Sequence, residues 1–178
     1  MILKDFNFYF KMNGLTGALF NLGMWSLLSY RIGNFLNNKL FFKFTLVWYV
    51  YVILNNLLVM ISKIEISITS TIGKQFNFVH AYGVVIGNNV VIGDNCTIGP
   101  WVVIGHNGDI SKQPHIGDNV YLAPHCCILG DVKIGNNVII GANSVITKNI
   151  PSNSIVKCSD SILSTKNLRK NDFFNLNL

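Results

Sequence analysis

The sequence predicts a mainly β protein, a left-handed parallel β-helix preceded by an apolar α-helical segment. Three observations carry that expectation. Aliphatic residues return every six positions at Ile86, Ile92, Ile98 and Ile104, then at Ile116, Leu122, Ile128, Ile134, Ile140 and Ile146. Four places after these stand small or β-branched residues: Val90, Cys96, Val102, Val120, Cys126, Val132, Val138, Ser144 and Ile150. Glycine follows the aliphatic residue at 87, 93, 99, 105, 117, 135 and 141, and asparagine occupies 89, 95, 119 and 137.

A period of six fits neither an amphipathic helix nor an alternating strand, so it marks a repeat. Three hexads close one coil of a triangular prism, filled by the Ile/Leu ladder and hydrogen-bonded to the next coil. Gly and Asn tolerate positive φ, so each hexad reads as a short strand followed by a tight corner. The handedness is an exception to the right-handed crossover rule. Cys96 and Cys126 fall on interior positions, where a thiol behaves as a small hydrophobe.

Two places break the pattern. Ile66 and Ile72 keep the spacing, but Ile72 to Ile86 is fourteen residues, so the register slips by two around His80. Residues 106–114, "HNGDISKQP", keep the count and lose the apolar positions. They read as a loop projecting from one corner, where repeat proteins often build a binding surface.

The chain accordingly divides into a helical segment at 1–64, the prism at 65–151 and a polar tail at 152–178, expected to be only partly ordered. In the first segment, 15–36 and about 40–62 read as two helices. They are too apolar to stand alone and must pack on each other, the prism, a neighbouring subunit or a membrane. Residues 45–61 approach the lower limit of a membrane span. Asn55 and Asn56 interrupt them, so a buried or interfacial helix is expected.

Composition narrows the function classes. Half of the 178 residues are hydrophobic and 12% are charged, with a net charge of +6. Residues 1–64 carry six Lys/Arg against Asp5 alone. A basic, aromatic, apolar segment suits an anionic membrane surface better than nucleic acid, for which no basic patch with stacking aromatics is present. Equally, those lysines solvate a helical segment and do no more. Four cysteines without a CxxC pair imply reduced thiols and a cytoplasmic location, and the first residues lack the features of a cleavable signal peptide.

"HAYGVVIG" (80–87), preceded by "EISITSTIG" (65–73) and followed by "IGANSVITKNIP" (140–151), resembles the serine acetyltransferase branch of the hexapeptide-repeat acyltransferases. The resemblance covers about residues 65–151. The isoleucine-glycine repeats specify only a fold shared by many activities; the H-A-x-G stretch at the register slip is the sharper signal. With its short apolar N-terminus, the chain is most similar to enzymes that O-acetylate bacterial capsule, lipopolysaccharide or exopolysaccharide sugars. The implied activity is transfer of an acetyl group from acetyl-CoA to a saccharide hydroxyl, with an acceptor that in that family is often lipid-linked at the inner face of the membrane.

The resemblance makes His80 the general base and Glu65, fifteen residues earlier, the carboxylate that orients it. The chemistry agrees: imidazole can take a proton near neutral pH, and a carboxylate on its other nitrogen fixes the tautomer. Gly105 is the candidate oxyanion donor, from a Gly-rich turn of the family. Tyr82, Gln113 and His115 are the acceptor-side candidates, with His106 and His125 read as outward-facing residues without chemistry. Coenzyme A is expected in a groove between neighbouring prisms of a homotrimer, against Ala123, Gly141 and Ala142, with Lys148 and Lys157 for its phosphates. No metal is expected.

Departures from the family bear on the acceptor. The family has Asp immediately before the histidine, where this chain has Val79, and Arg in the loop where it has Lys112. A valine cannot receive the ammonium of serine. The alternatives are a serine O-acetyltransferase, a metal-dependent lyase or hydratase, for which the five-residue histidine spacing is missing, and a non-catalytic scaffold.

Overall fold

The computed structural model describes residues 2–39, 45–157 and, by backbone alone, 162–164. Residues 40–44 of the second expected helix, Cys158 and most of the expected tail lie outside the described residues.

The repeats fold as expected into a parallel β-helix of three faces, with strands numbered in chain order. The first face stacks β1 (Glu65–Ile66), β4 (Val85–Ile86), β7 (Val103–Gly105), β10 (Cys127–Leu129) and β13 (Val145–Ile146). The second stacks β2 (Thr71–Ile72), β5 (Val91–Ile92), β8 (His115–Ile116) and β11 (Lys133–Ile134). The third stacks β3 (Asn77–Phe78), β6 (Thr97–Ile98), β9 (Tyr121–Leu122), β12 (Ile139–Ile140) and β14 (Ser154–Val156), and β15 (Ile162–Ser164) returns antiparallel along β14.

Register locates the irregularities. On the first face Val85 pairs with Val103, eighteen residues on, which is three hexads. Glu65 pairs with Val85, twenty residues on, so the two extra residues lie in the first coil, in the segment 79–84. Val103 pairs with Cys127, twenty-four residues on: the loop at 106–114 costs one whole hexad.

The interior is the predicted ladder. Ile86, Ile92, Ile98, Ile104, Leu122 and Ile128 are all buried, as are Val90, Cys96, Val102, Val120 and Cys126. Asn89, Asn95, Asn119 and Asn137 take the left-handed corner conformation with φ between 55° and 58°. The glycines after the isoleucines do not, contrary to the sequence expectation. Their reason is close approach: a Cβ on Gly93 would strike the Asp118 carboxylate and the Gly117 carbonyl of the following coil.

A β-helix leaves unpaired backbone groups on its first coil, and these need a cover. Three helices supply it: α1 (Ile2–Leu19, bent at Gly14), α2 (Leu22–Asn37) and α3 (Leu46–Ser62). The Tyr9 hydroxyl accepts from the Phe78 N–H at 3.1 Å, and the Tyr30 hydroxyl accepts from the Ile72 N–H at 3.2 Å while donating to the Ser70 carbonyl at 2.9 Å. Arg31 donates to the carbonyls of Ile72 and Gly73, and Asn34 to that of Ile68.

This corrects the reading of 15–36 as one helix. The chain breaks at residues 20–21, where the Asn21 side chain accepts from the Met24 N–H at 3.1 Å and starts α2. Among the described residues no helix is long and apolar enough to cross a membrane.

Candidate active site

Each corner of the prism continues through the coils as an edge. Along the edge between the third and first faces run residues 79–84, 99–102, 123–126 and 141–144. Gly83, Trp101, His125 and Asn143 take the left-handed conformation in successive coils, with φ of 68°, 60°, 61° and 58°. Hydrogen bonds set this register, from the Trp101 N–H to the Tyr82 carbonyl and from the His125 N–H to the Pro100 carbonyl, each at 3.0 Å. Gly83 must be glycine, because a Cβ there would enter the Trp101 indole. Tyr82 meets that indole edge-on at 5.2 Å, and His125 stacks on it at 6.2 Å.

His80 lies in the two-residue insertion at the top of this edge, itself at φ 51°. A left-handed histidine is uncommon, and such conformations concentrate at functional sites. Its side chain is exposed, and neither ring nitrogen has a partner among the described residues. The floor beneath it is packed: α2 begins directly against the loop, where a Cβ on Gly23 would come within 2.8 Å of both Ala81 and Phe78. His80 opens on a groove of about 500 Å³ bounded by Met12, Phe20, Asn21, Asn77 and Val79. The groove has no charged side chain in its lining.

Asn77 was not among the residues singled out from sequence. It points outward from β3, is 93% buried from its 7% exposure, and its side-chain amide has no hydrogen-bond partner among the described residues. With Met12 and Val79 it also lines a second cavity of about 330 Å³ beneath α1, walled by Phe8, Thr97 and Tyr121. Asn77 stands where the two spaces meet. The signal for it in the sequence is a polar residue three places before the histidine, visible only once that face is known to be covered by α1.

The sequence-selected residues separate into two groups. Ala123, Gly141, Ala142 and Lys157 follow His80 down the same edge, Ala123 and Gly141 buried and Ala142 and Lys157 exposed. Small side chains there leave the backbone open to an extended ligand, with a cation at the far end. Lys148 stands instead on the edge between the first and second faces, with Gly105, Gln113 and the loop 106–114. A Cβ on Gly105 would meet nothing within 4 Å. Gln113 is buried and gives its amide N–H to the Ile110 carbonyl at 2.9 Å, closing its own loop, while its Oε1 has no partner. In that loop Ser111 donates to the Asp109 carboxylate and holds its pKa below the usual carboxylate range. His115 is exposed at the start of β8, and His106 is spent on the Gly108 N–H.

Glu65 is exposed on the first face, paired through its backbone with Val85, and forms no hydrogen bond or ion pair with His80. The first face thus lies between the two groups and shows solvent an apolar row of Val85 and Val145, with Val103 and Cys127 half-buried. Among the described residues no group of three or more His, Cys, Asp or Glu is placed to hold a metal.

The family model for the bacterial transferase hexapeptide, six repeats, matches residues 77–107 and 113–148 and skips part of the projecting loop. Over those residues the prism carries the hexapeptide repeats that this model describes. Over 93 residues, 52% of this chain and 57% of the relative, the chain is 46% identical to the "Putative colanic acid biosynthesis acetyltransferase WcaB" of Escherichia coli K12. Over 95 residues it is also 46% identical to a serine acetyltransferase of Staphylococcus aureus, covering 52% of this chain and 45% of that one. The chain therefore spans about half the length of the curated relatives it matches. Among solved structures, a serine acetyltransferase from Brucella abortus in complex with coenzyme A superposes with a TM-score of 0.79, over 94% of this chain and 68% of that one. At 21% identity that likeness shows the fold alone.

Proposed function

We propose that the protein is an acetyl-CoA-dependent O-acetyltransferase acting on a hydroxyl of a bacterial surface-polysaccharide sugar. The observation that carries this reading is the unpartnered His80 imidazole opening on an uncharged groove lined by the amide of Asn77. A zwitterionic amino acid finds no counter-charge in that groove, and leaving its ammonium or carboxylate unpaired is costly. A neutral polyhydroxyl acceptor meets amide and hydroxyl partners. The relatives support the reading at the level of acetyl transfer.

In this mechanism acetyl-CoA supplies an activated acetyl thioester along the His80 edge, against Ala123, Gly141, Ala142 and Lys157. One ring nitrogen of His80 takes the acceptor's hydroxyl proton as its oxygen attacks, and returns a proton to the leaving thiol. Glu65, at the start of the same coil, is the carboxylate proposed to orient the imidazole and steady its charged form once the acceptor is bound. A backbone N–H of the turn at Gly105 is the proposed donor to the carbonyl oxygen as charge develops there.

Gly105, Gln113, His115 and Lys148 lie across the first face from His80, so one protomer alone does not complete this site. A homotrimer with sites between subunits brings the loop edge of one copy to the His80 edge of the next, and the apolar row on the first face suits that contact. Serine O-acetylation is the second reading, favoured by the Staphylococcus aureus relative and disfavoured by Val79 and the uncharged groove.

The test is thiol release from acetyl-CoA, with serine and with a panel of bacterial oligosaccharides in parallel. Release with a saccharide supports the proposal. Release with serine alone moves the protein to cysteine biosynthesis, and silence with both leaves a scaffold.

A further inference from the structure

We propose that the outward face of α3 docks on an anionic lipid bilayer. This does not depend on the transfer chemistry proposed above. The observation behind it is that α3 is inside out. Asn55, Ser62 and Tyr51 face the protein, while Asn56 and Tyr49 are exposed: the Ser29 hydroxyl donates to Asn55 Oδ1 at 2.7 Å, the Ser26 hydroxyl reaches that of Ser62 at 3.4 Å, and the Tyr51 hydroxyl lies against Gly33. The interrupting Asn55 is turned inward, onto α2. Small residues and hydrogen-bonding side chains between antiparallel helices are how helices pair where the surroundings are as apolar as their own side chains.

The other side of α3 is what those surroundings must cover. Val50, Ile53, Leu54, Leu57, Met60 and Ile61 are between 46% and 67% exposed, and Ser62 is the one buried residue of the helix. At 3.6 residues per turn and 1.5 Å per residue these six positions occupy an arc of roughly 120° along about 17 Å of helix. No charged residue occurs between Leu46 and Ser62. A patch of that extent is not left to water on a soluble surface.

Charge selects the occupant. Exposed Lys39 and Lys63 bracket α3 in sequence, and residues 1–64 carry six basic residues against Asp5, which Arg31 already neutralises. Two copies of this segment would bring like charges together, whereas anionic headgroups attract them while the apolar arc enters the acyl boundary. An interfacial helix needs no span, in keeping with the 17 residues of α3.

The test is flotation of the full chain, without acetyl-CoA, with vesicles of phosphatidylglycerol and phosphatidylcholine in equal parts and with vesicles of phosphatidylcholine alone. Binding to the anionic vesicles is expected. An Ile53→Glu/Leu57→Glu variant, with its fold checked by circular dichroism, should bind at least ~10-fold more weakly. Lys39→Gln/Lys63→Gln should lose about fivefold per lysine on the anionic vesicles. Unchanged binding by the glutamate variant overturns the proposal, as does absence of binding by the parent chain. Self-association of the parent without vesicle binding, abolished by the same glutamates, would overturn it in favour of a second copy.

Discussion

Arg31 of α2 reaches Asp5 of α1 at 3.0 Å while its other nitrogens donate to the Ile72 and Gly73 carbonyls of the first coil. Both side chains are buried, so one guanidinium ties two helices and the open end of the prism together. Arg31→Met leaves the Asp5 carboxylate buried without a counter-charge and two carbonyls without donors. It should cost about 3–5 kcal/mol, read as a lower midpoint in chemical denaturation. Asp5→Asn should cost less, because it leaves no buried anion.

His80→Ala removes the proposed base without touching the packing beneath it. Turnover of acetyl-CoA with a saccharide acceptor should fall by roughly 10²–10⁴-fold, with the thermal midpoint unchanged. An active variant would refute the assignment.

In the proposed site Asn77 would give the acceptor a hydrogen bond, since its side chain takes none among the described residues. Asn77→Ala should therefore raise the KM for the saccharide by about tenfold with a smaller effect on kcat. Steady-state kinetics with varied acceptor checks this; equal losses in kcat and no change in KM would place Asn77 outside the acceptor site.

Burial pushes the thiols of Cys96 and Cys126 from 9.0 up to about 12, and the Tyr9 phenol is raised by burial too. Since the folded state disfavours the thiolates, their contribution is fully present below the unfolded value of 9.0 and is lost as pH rises toward about 12. The thermal midpoint should fall steeply above pH 9, and a Cys96→Ala/Cys126→Ala variant should show a shallower alkaline slope. At pH 8 a thiol reagent followed by peptide mapping should leave both cysteines unmodified.

Gly93→Ala tests the close approach of coils. Its Cβ would be driven into Asp118 and the Gly117 carbonyl, and overpacking of this kind costs about 1–3 kcal/mol. Differential scanning calorimetry should show the midpoint lowered by several degrees. Asn89→Gly, at an exposed left-handed corner, should change it little.

Much of the prism was legible because its rule is local. A hexad that buries its aliphatic residue and its small residue while turning at Asn repeats the same physics at Ile86, Ile92 and Ile98, so the pattern survives in the one-dimensional string. The same count exposed the slip at His80 and the loop at 106–114. The hexad glycines were legible as repeat markers, but their cause was not: Gly93 is small because another coil lies against it, and that neighbour is twenty-four residues away in sequence.

The sequence by itself determined the prism and its two irregularities, since each follows from spacing along the chain, while His80 as candidate base came from the resemblance of its H-A-x-G stretch to a known family. Tertiary structure alone decided that Lys148, Gly105 and Gln113 stand on a different edge from His80, that Asn77 lies unpaired beneath α1, and that α3 turns Asn55 and Ser62 inward. These depend on where an extra pair of residues and an extra hexad are absorbed, and on how three helices satisfy the bare backbone of the first coil. Contacts such as Tyr9 to Phe78, sixty-nine residues apart, have no local signature from which to read them.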